Sequence, residues 1–301
     1  VPKNQLQGLR ATLVLILVYT VLLIARGHVW SGAGVDQLHY YGQMSSALWD
    51  RDLDLSNDIA ESPGPLEFRL GIVYGVLYQR EQPNNPFAIG LAVLSAPYVE
   101  IARYITGEQA FADRYDHRVR AAFSATTWLL VLAGLIALQR TLRRWLGEWY
   151  SLLSTMLLFL GSGLPFYTWH EPAMSHGASF GFSAMVLWSG VRYHERPDWI
   201  RAGTCGILIG LAMLVRWQTM LMGFIPLAAV LSTRPRGWYF HLLLMGAVAL
   251  AMFLPQMLYW RQVHGAFVTA PQGRAFFVWE VTRLWYVLFS AMNGLFHAHP
   301  L

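Results

Sequence analysis

The chain has 301 residues, of which 55% are hydrophobic, 14% aromatic and only 13% charged. Soluble domains carry about 25% charged residues, so this composition excludes an ordinary water-soluble globule and points to an integral membrane protein. The net charge of +5 does not mark a nucleic-acid binder. Only Lys3 is a lysine, the arginines fall in short clusters between apolar runs, and there is no basic stripe.

A membrane span needs about 20 mostly apolar residues. Seven runs qualify, at roughly 10–27, 118–138, 149–167, 174–191, 200–215, 218–232 and 238–258. The first lacks a clean small-residue cleavage site and reads as a retained helix rather than a signal peptide. Lys3 and Arg10 flank its start. Arg140, Arg143 and Arg144 follow the second span, Arg192, Arg196 and Arg201 separate the fourth and fifth, and Arg234 and Arg236 separate the sixth and seventh. Alternate loops are therefore basic, which predicts that they and the N-terminus face the cytoplasm. The outer segments are then 28–117, a turn near 168–173, a turn at 216–218 and the tail 259–301. The first of these holds 12 of the 17 acidic residues.

Within 28–117, the segments 36–50 and 86–105 predict helices lying along the outer interface. The second is nearly apolar enough to cross, but crossing would carry the Arg140 cluster outside, and Pro86, Pro97, Glu100 and Arg103 weaken it. "DRDLDLSND" (50–58) lacks the glycine and closing glutamate of an EF-hand. Its alternation of Asp with Leu53 and Leu55 predicts an extended, solvated segment. In the tail, "TRLWYVLFSAMNGLF" predicts an amphipathic interfacial helix. Cys205 lies in an apolar run and reads as a small buried hydrophobe. A lone cysteine excludes a disulfide framework and a CxxC site. The whole chain reads as one transmembrane domain, all-α, without repeats.

On this topology the polar residues gather at the outer face. Asp36, His39, Tyr40 and Tyr41 follow the first span. "YTWHEPAMSHG" (167–177), "VRWQT" (215–219), "HGAFVTAPQGR" (264–274) and "MNGLFHAHP" (292–300) supply the rest. Asp36 is suited to take a proton from a hydroxyl or amine nucleophile, or else to cap the helix that begins there. Glu171 and His176 are placed to bind a phosphate, a metal or each other, although two groups alone make no metal site. Arg216 either snorkels to the interface or clamps an anion. Arg261, His264 and Arg274 add positive charge on the same side. A carboxylate and several cations beside lipid suit a substrate with a lipid tail and a phosphate head. Breaking a sugar–phosphate bond needs a base for the acceptor and positive charge for the leaving phosphate.

"DQLHYYGQMSSALWDRDLDLSND", "EPAMSHGASFGF", "GLAMLVRWQ", "TAPQG" and "NGLF" occur here in that order. The ordered set, covering about 10 to 296, resembles bacterial polytopic glycosyltransferases of the GT-C superfamily, relatives of protein O-mannosyltransferases and the lipid A aminoarabinose transferase. The resemblance implies a multi-helix bundle with juxtamembrane helices in a large first outer loop. It implies inverting transfer of a sugar from a polyprenyl-phosphate donor to a lipid, glycan or protein acceptor, at the periplasmic face of the inner membrane. It puts Asp36 at the catalytic position, with Glu171 next in line. His39, Tyr40, His176, Arg216, Gln218, Gln272 and Arg274 fall to donor or substrate binding. No cofactor is indicated, with a divalent metal left open. Relatives commonly continue past "GLF" with further spans, so the resemblance implies either a C-terminal continuation or a shortened relative. The competing readings are a lipid-linked sugar flippase and a non-catalytic membrane subunit of a larger complex.

Overall fold

The computed structural model describes residues 3–31, 34–63, 85–107, 113–269 and 281–290. The contacts divide the chain into two compact units, Val1–Val268 and Thr269–Leu301. In the second unit the described element is one helix, which becomes α12 below. Gln272 and Arg274 lie outside the described residues, as does "MNGLFHAHP".

The first unit opens with α1 (Lys3–Arg26), followed by α2 (Val35–Ser45), α3 (Ser56–Glu61) and α4 (Gly90–Thr106). The long α5 (His117–Leu146), α6 (Glu148–Leu160), α7 (Leu164–Trp169), α8 (Ser175–Glu195) and α9 (Trp199–Val215) come next. A 3-10 stretch (Trp217–Gly223) leads to α10 (Phe224–Thr233), and α11 (Trp238–His264) closes the unit. The helix of the second unit, α12, spans Val281–Phe289, and its Trp285 and Phe289 rings lie 4.3 Å apart. Among the described residues the structure is helical and contains no strand.

Among the described residues, three helices are long and apolar enough to cross a membrane, at Leu9–Arg26, His117–Leu146 and Trp238–His264. Their outward faces fit that role. Leu9, Leu13, Leu17, Val21 and Ile24 form one exposed stripe along α1, and Leu243, Leu250, Leu254 and Leu258 do the same on α11. Aliphatic stripes of this length would be an aggregation hazard in water and are ordinary against lipid. Of the other expected spans, α8 is unbroken with 21 residues but less apolar than these three, and the rest are shorter or broken. The run 149–167 divides into α6 and α7, because Gly161-Ser162-Gly163 cannot sustain a helix and Pro165 opens the next one. The run 218–232 begins as a 3-10 stretch and leaves α10 with only ten residues.

Small residues bring the helices close. α8 packs on α5, and α9 packs on both α8 and α11. A side-chain carbon added at Gly134 of α5 would stand 2.7 Å from the backbone of Gly181 in α8. One added at Gly206 of α9 would stand 2.7 Å from the Met245 carbonyl of α11. Glycines four apart, Gly177 with Gly181 and Gly206 with Gly210, thus line two helix seams in the small-xxx-small manner of membrane bundles. Two polar groups of α1 are paired across to α5. The Thr12 hydroxyl donates to Gln139 Oε1 at 3.1 Å, and the Tyr19 hydroxyl donates to the Trp128 carbonyl at 2.8 Å. Cys205 is buried in α9.

The helix at 36–50 is present, as α2 continued by a wide π turn, Ser46–Asp50. It is not a surface helix, however. Every residue from Gln37 to Ser46 is buried, because Trp30, α4 and α5 wrap it with aromatic and aliphatic side chains. Of the expected helix at 86–105, the part from Gly90 is helical as α4, with Pro97 inside it.

These seams predict a contrast within one helix. Gly206→Ala places a methyl against the Met245 carbonyl and is expected to lower stability by about 1–3 kcal/mol. Gly203→Ala, where a methyl meets nothing within 4 Å, is expected to be neutral or slightly stabilising. Thermal unfolding in a neutral detergent compares the two.

Candidate functional site

Three segments meet at one end of the first unit: the start of α2, the connection from α7 to α8, and the chain leaving α9. Gly34 is the N-cap of α2, with φ 117, a conformation that glycine adopts readily. Asp36 is therefore not the cap. It sits in the first turn, where a negative charge faces the positive end of the helix dipole. It is half-buried, and among the described residues it makes no hydrogen bond or ion pair.

The next residue, Gln37, is buried, and its amide donates to the Glu171 carboxylate. Burial raises the Glu171 pKa above the ordinary carboxylate value, and the Gln37 hydrogen bond and the nearby His170 offset part of that rise. One turn further along α2, the Tyr40 hydroxyl and the Ser175 hydroxyl at the start of α8 are 2.8 Å apart. Burial raises the Tyr40 phenol. The Ser175 hydrogen bond and the Arg216 charge oppose the rise, and the Asp36 charge adds to it. Tyr40 therefore lies in the field of both Asp36 and Arg216.

Arg216 follows the last residue of α9. Its Nη1 is 2.8 Å from His176 Nδ1 and 3.4 Å from Nε2. A guanidinium can only donate. The shorter contact thus requires a lone pair on Nδ1, which makes His176 neutral with its proton on Nε2. The Tyr167 ring stacks on the imidazole, with centroids 4.2 Å apart and planes 23° apart. Arg216 is half-buried and makes no ion pair with a carboxylate among the described residues. It is held by a neutral ring rather than snorkelling freely. The backbone is fixed as well. The Thr219 hydroxyl donates to the Arg216 carbonyl at 2.6 Å, and any side chain at Gly90 of α4 would collide with the backbone of Leu214 and Val215.

The structure thus brings together Asp36, Tyr40, Glu171, His176 and Arg216. Glu171 and His176 do not pair with each other: Gln37 takes the first and Arg216 the second. His39 is fully buried with its ring against Phe87, 5.0 Å between centroids. Gln218 is exposed on the 3-10 stretch. Arg261 donates to the Gly265 carbonyl and lies 5.7 Å from the Phe267 ring, so it is engaged at the end of α11. Among the described residues there is no group of three or more His, Cys, Asp or Glu side chains able to hold a metal ion. Beside α2, an apolar cavity of about 300 Å³ is lined by Met44, Ala47, Leu53, Ile89, Ala92 and Val93, with Gln43 and Tyr259 as its polar members.

Gln37, Ser175 and Tyr167 belong to the constellation and were not singled out from the sequence. All three lie inside the motifs quoted above, and their contacts with Glu171, Tyr40 and His176 give them their roles. A second cluster departs from its sequence pattern. The 50–58 segment is neither extended nor wholly solvated, because Ser56–Glu61 is helical and Asp58 is fully buried. The cause is Arg114. Its Nη1 donates to Asp50 Oδ2 and to Asp58 Oδ1, each at 2.7 Å, and its Nε lies 3.0 Å from the more exposed Glu61. Leu55 and Ile59 of the same segment are buried as well. The Arg114 hydrogen bond lowers the Asp50 pKa below the usual carboxylate value. Burial pushes Asp58 up to about 6, with Arg114 only partly offsetting it.

No family model, curated protein or solved structure matches the chain.

The Arg114 cluster predicts a signed pH dependence. Asp58 binds its proton more tightly folded than unfolded, so its share of stability grows as pH falls from about 7 towards 4. Asp50 does the reverse and loses its share below the ordinary carboxylate range. Asp58→Asn is expected to flatten the change between pH 7 and 4 with little cost. Arg114→Gln, which leaves the carboxylates without their cation, is expected to cost about 3 kcal/mol or more. Unfolding measured across pH 4–8 checks both.

Proposed function

We propose that the chain is a membrane glycosyltransferase that moves a sugar from a polyprenyl-phosphate carrier to a lipid, glycan or protein acceptor. The observation that carries this reading is Arg216 held by neutral His176, at the end of the bundle that also carries Asp36. Such a cation has charge to give to an incoming anion, and its orientation is already set by the ring that accepts from it. The Nε2–H of His176 is a second donor. The cavity of about 300 Å³ beside α2 offers apolar walls to part of a lipid tail.

The chemistry follows from these roles. Asp36 takes the proton from the acceptor hydroxyl or amine as that atom attacks the anomeric carbon of the sugar. A bond forms from the acceptor to that carbon, and the bond from the carbon to the phosphate oxygen breaks with inversion. The electron pair leaves on the phosphate, where Arg216 and the His176 Nε2–H stabilise the added charge. Glu171, pinned by Gln37, positions the connection that carries His176 and is the alternative base. Burial raises its pKa above the ordinary carboxylate value, which makes it a stronger base than a solvated carboxylate. This reading also takes the basic ends of the helices as cytoplasmic, the N-terminus with them, and the site as periplasmic in a bacterial inner membrane.

The test is transfer of radiolabelled sugar from a panel of polyprenyl-phosphate donors. Asp36→Asn is expected to lower turnover by roughly 10²–10⁴-fold with unchanged thermal stability, as for loss of a general base. Arg216→Gln is expected to lower both turnover and donor affinity. Full activity in Asp36→Asn would remove Asp36 from the chemistry and leave Glu171→Gln as the deciding variant. An inactive wild-type chain across the whole donor panel would count for a non-catalytic subunit.

A further inference from the structure

The other end of the bundle is built differently. Along α8, His176 and Arg192 are separated by about 24 Å at 1.5 Å per residue. That is most of the thickness of a bilayer's hydrocarbon core. At this far end, two cavities adjoin and share Trp188 and Arg192 as lining residues. One, of about 390 Å³, is lined by Arg140, Arg143, Arg144 and Glu195 besides the shared pair. The other, of about 310 Å³, adds Arg196, Asp198, Ile200 and Arg201.

Six guanidinium groups thus face two carboxylates. The carboxylates are already spoken for: Arg144 grips Glu195 with two nitrogens, and Arg201 pairs with Asp198. Arg140, Arg143, Arg192 and Arg196 make no ion pair with a carboxylate among the described residues. The Arg192 guanidinium instead lies over the Trp188 ring, 5.4 Å from its centroid, which sets it between the two cavities. The positive field reaches Glu195, whose pKa is lowered first by the Arg144 hydrogen bond and further by Arg192 and Arg201.

The surroundings indicate what kind of anion would come. Trp145, Trp149, Tyr150 and Trp199 are exposed at this same end, and Ile200, at the mouth of the second cavity, is 82% exposed. Exposed Trp and Tyr rings collect where a membrane helix meets the lipid headgroups. A cluster of arginines between helix ends at that level is suited to phospholipid headgroups. We propose that the paired cavities bind a phospholipid carrying two phosphodiesters, one phosphate in each cavity, with Arg192 on Trp188 bridging them. Arg143 and Arg140 face the first phosphate, and Arg196 faces the second. The acyl chains leave past Ile200 and the aromatic belt. This site is independent of the proposed transferase chemistry at the opposite end.

The test uses the full chain, stripped of lipid in a neutral detergent and titrated with three probes: a diphosphatidylglycerol, phosphatidylglycerol and inorganic pyrophosphate. Native mass spectrometry reads the bound fraction. The diphosphatidylglycerol is expected to bind about tenfold tighter than phosphatidylglycerol at equal phosphate, and Arg143→Gln with Arg192→Gln to weaken it tenfold or more. Arg143→Gln with Arg192→Lys is expected to recover less than half of that loss, since an ammonium lacks the forked donors of the guanidinium over Trp188. Arg216→Gln at the other end is expected to leave it unchanged. Equal affinity for the one- and two-phosphate lipids, displacement by pyrophosphate at comparable concentration, or unchanged binding in the double variant would each overturn the proposal. If the double variant loses its thermal transition, Arg143→Gln alone decides by the same readout.

Discussion

The fate of arginine charge at low dielectric organises this molecule. A guanidinium cannot shed its proton, so each one near the bilayer must find acceptors, reach water or meet an anion. Arg114 finds two aspartates at 2.7 Å and a glutamate at 3.0 Å, and its charge is consumed in holding the acidic segment against the helices. Arg216 finds a neutral imidazole. The first arrangement is structural because nothing is left to bind. The second keeps its charge and is oriented, which is what an anion site requires.

Helix packing decides where that charge stands. Glycine seams bring α5 to α8 and α9 to α11, so the N-terminus of α8 and the C-terminus of α9 open at the same end. Gly90 lets α4 rest on the last turn of α9, and the Tyr40–Ser175 hydrogen bond ties α2 to α8. Arg216 and His176, 40 residues apart in sequence, meet through these contacts.

The helical class, the long apolar helices and the gathering of Asp36, Tyr40, Glu171, His176 and Arg216 were legible in the sequence. Apolar periodicity and loop charge are local signals and read directly along the chain. The breaks were harder. Gly161-Ser162-Gly163 with Pro165 is a local break that counting apolar residues over the run 149–167 passes over. Asp36 resembled a cap because acidic residues favour helix starts, yet Gly34 holds that position. The burial of α2 and the pairing of Asp58 with Arg114, 56 residues away, depend on tertiary contacts that no spacing rule exposes. An alternating Asp–Leu run looks solvated until a distant cation claims its charges.

The central claim is that Arg216, set by His176, is an anion site. The most direct measurement is binding of a short-chain isoprenyl phosphate to the full chain, followed by the phosphorus resonance or by calorimetry. The account predicts a site weakened about tenfold or more in Arg216→Gln but not in Arg143→Gln with Arg192→Gln, and competed by isoprenyl diphosphate but not by the uncharged alcohol. Binding of the phosphate that is unchanged in Arg216→Gln, or equal binding of the alcohol, would contradict it.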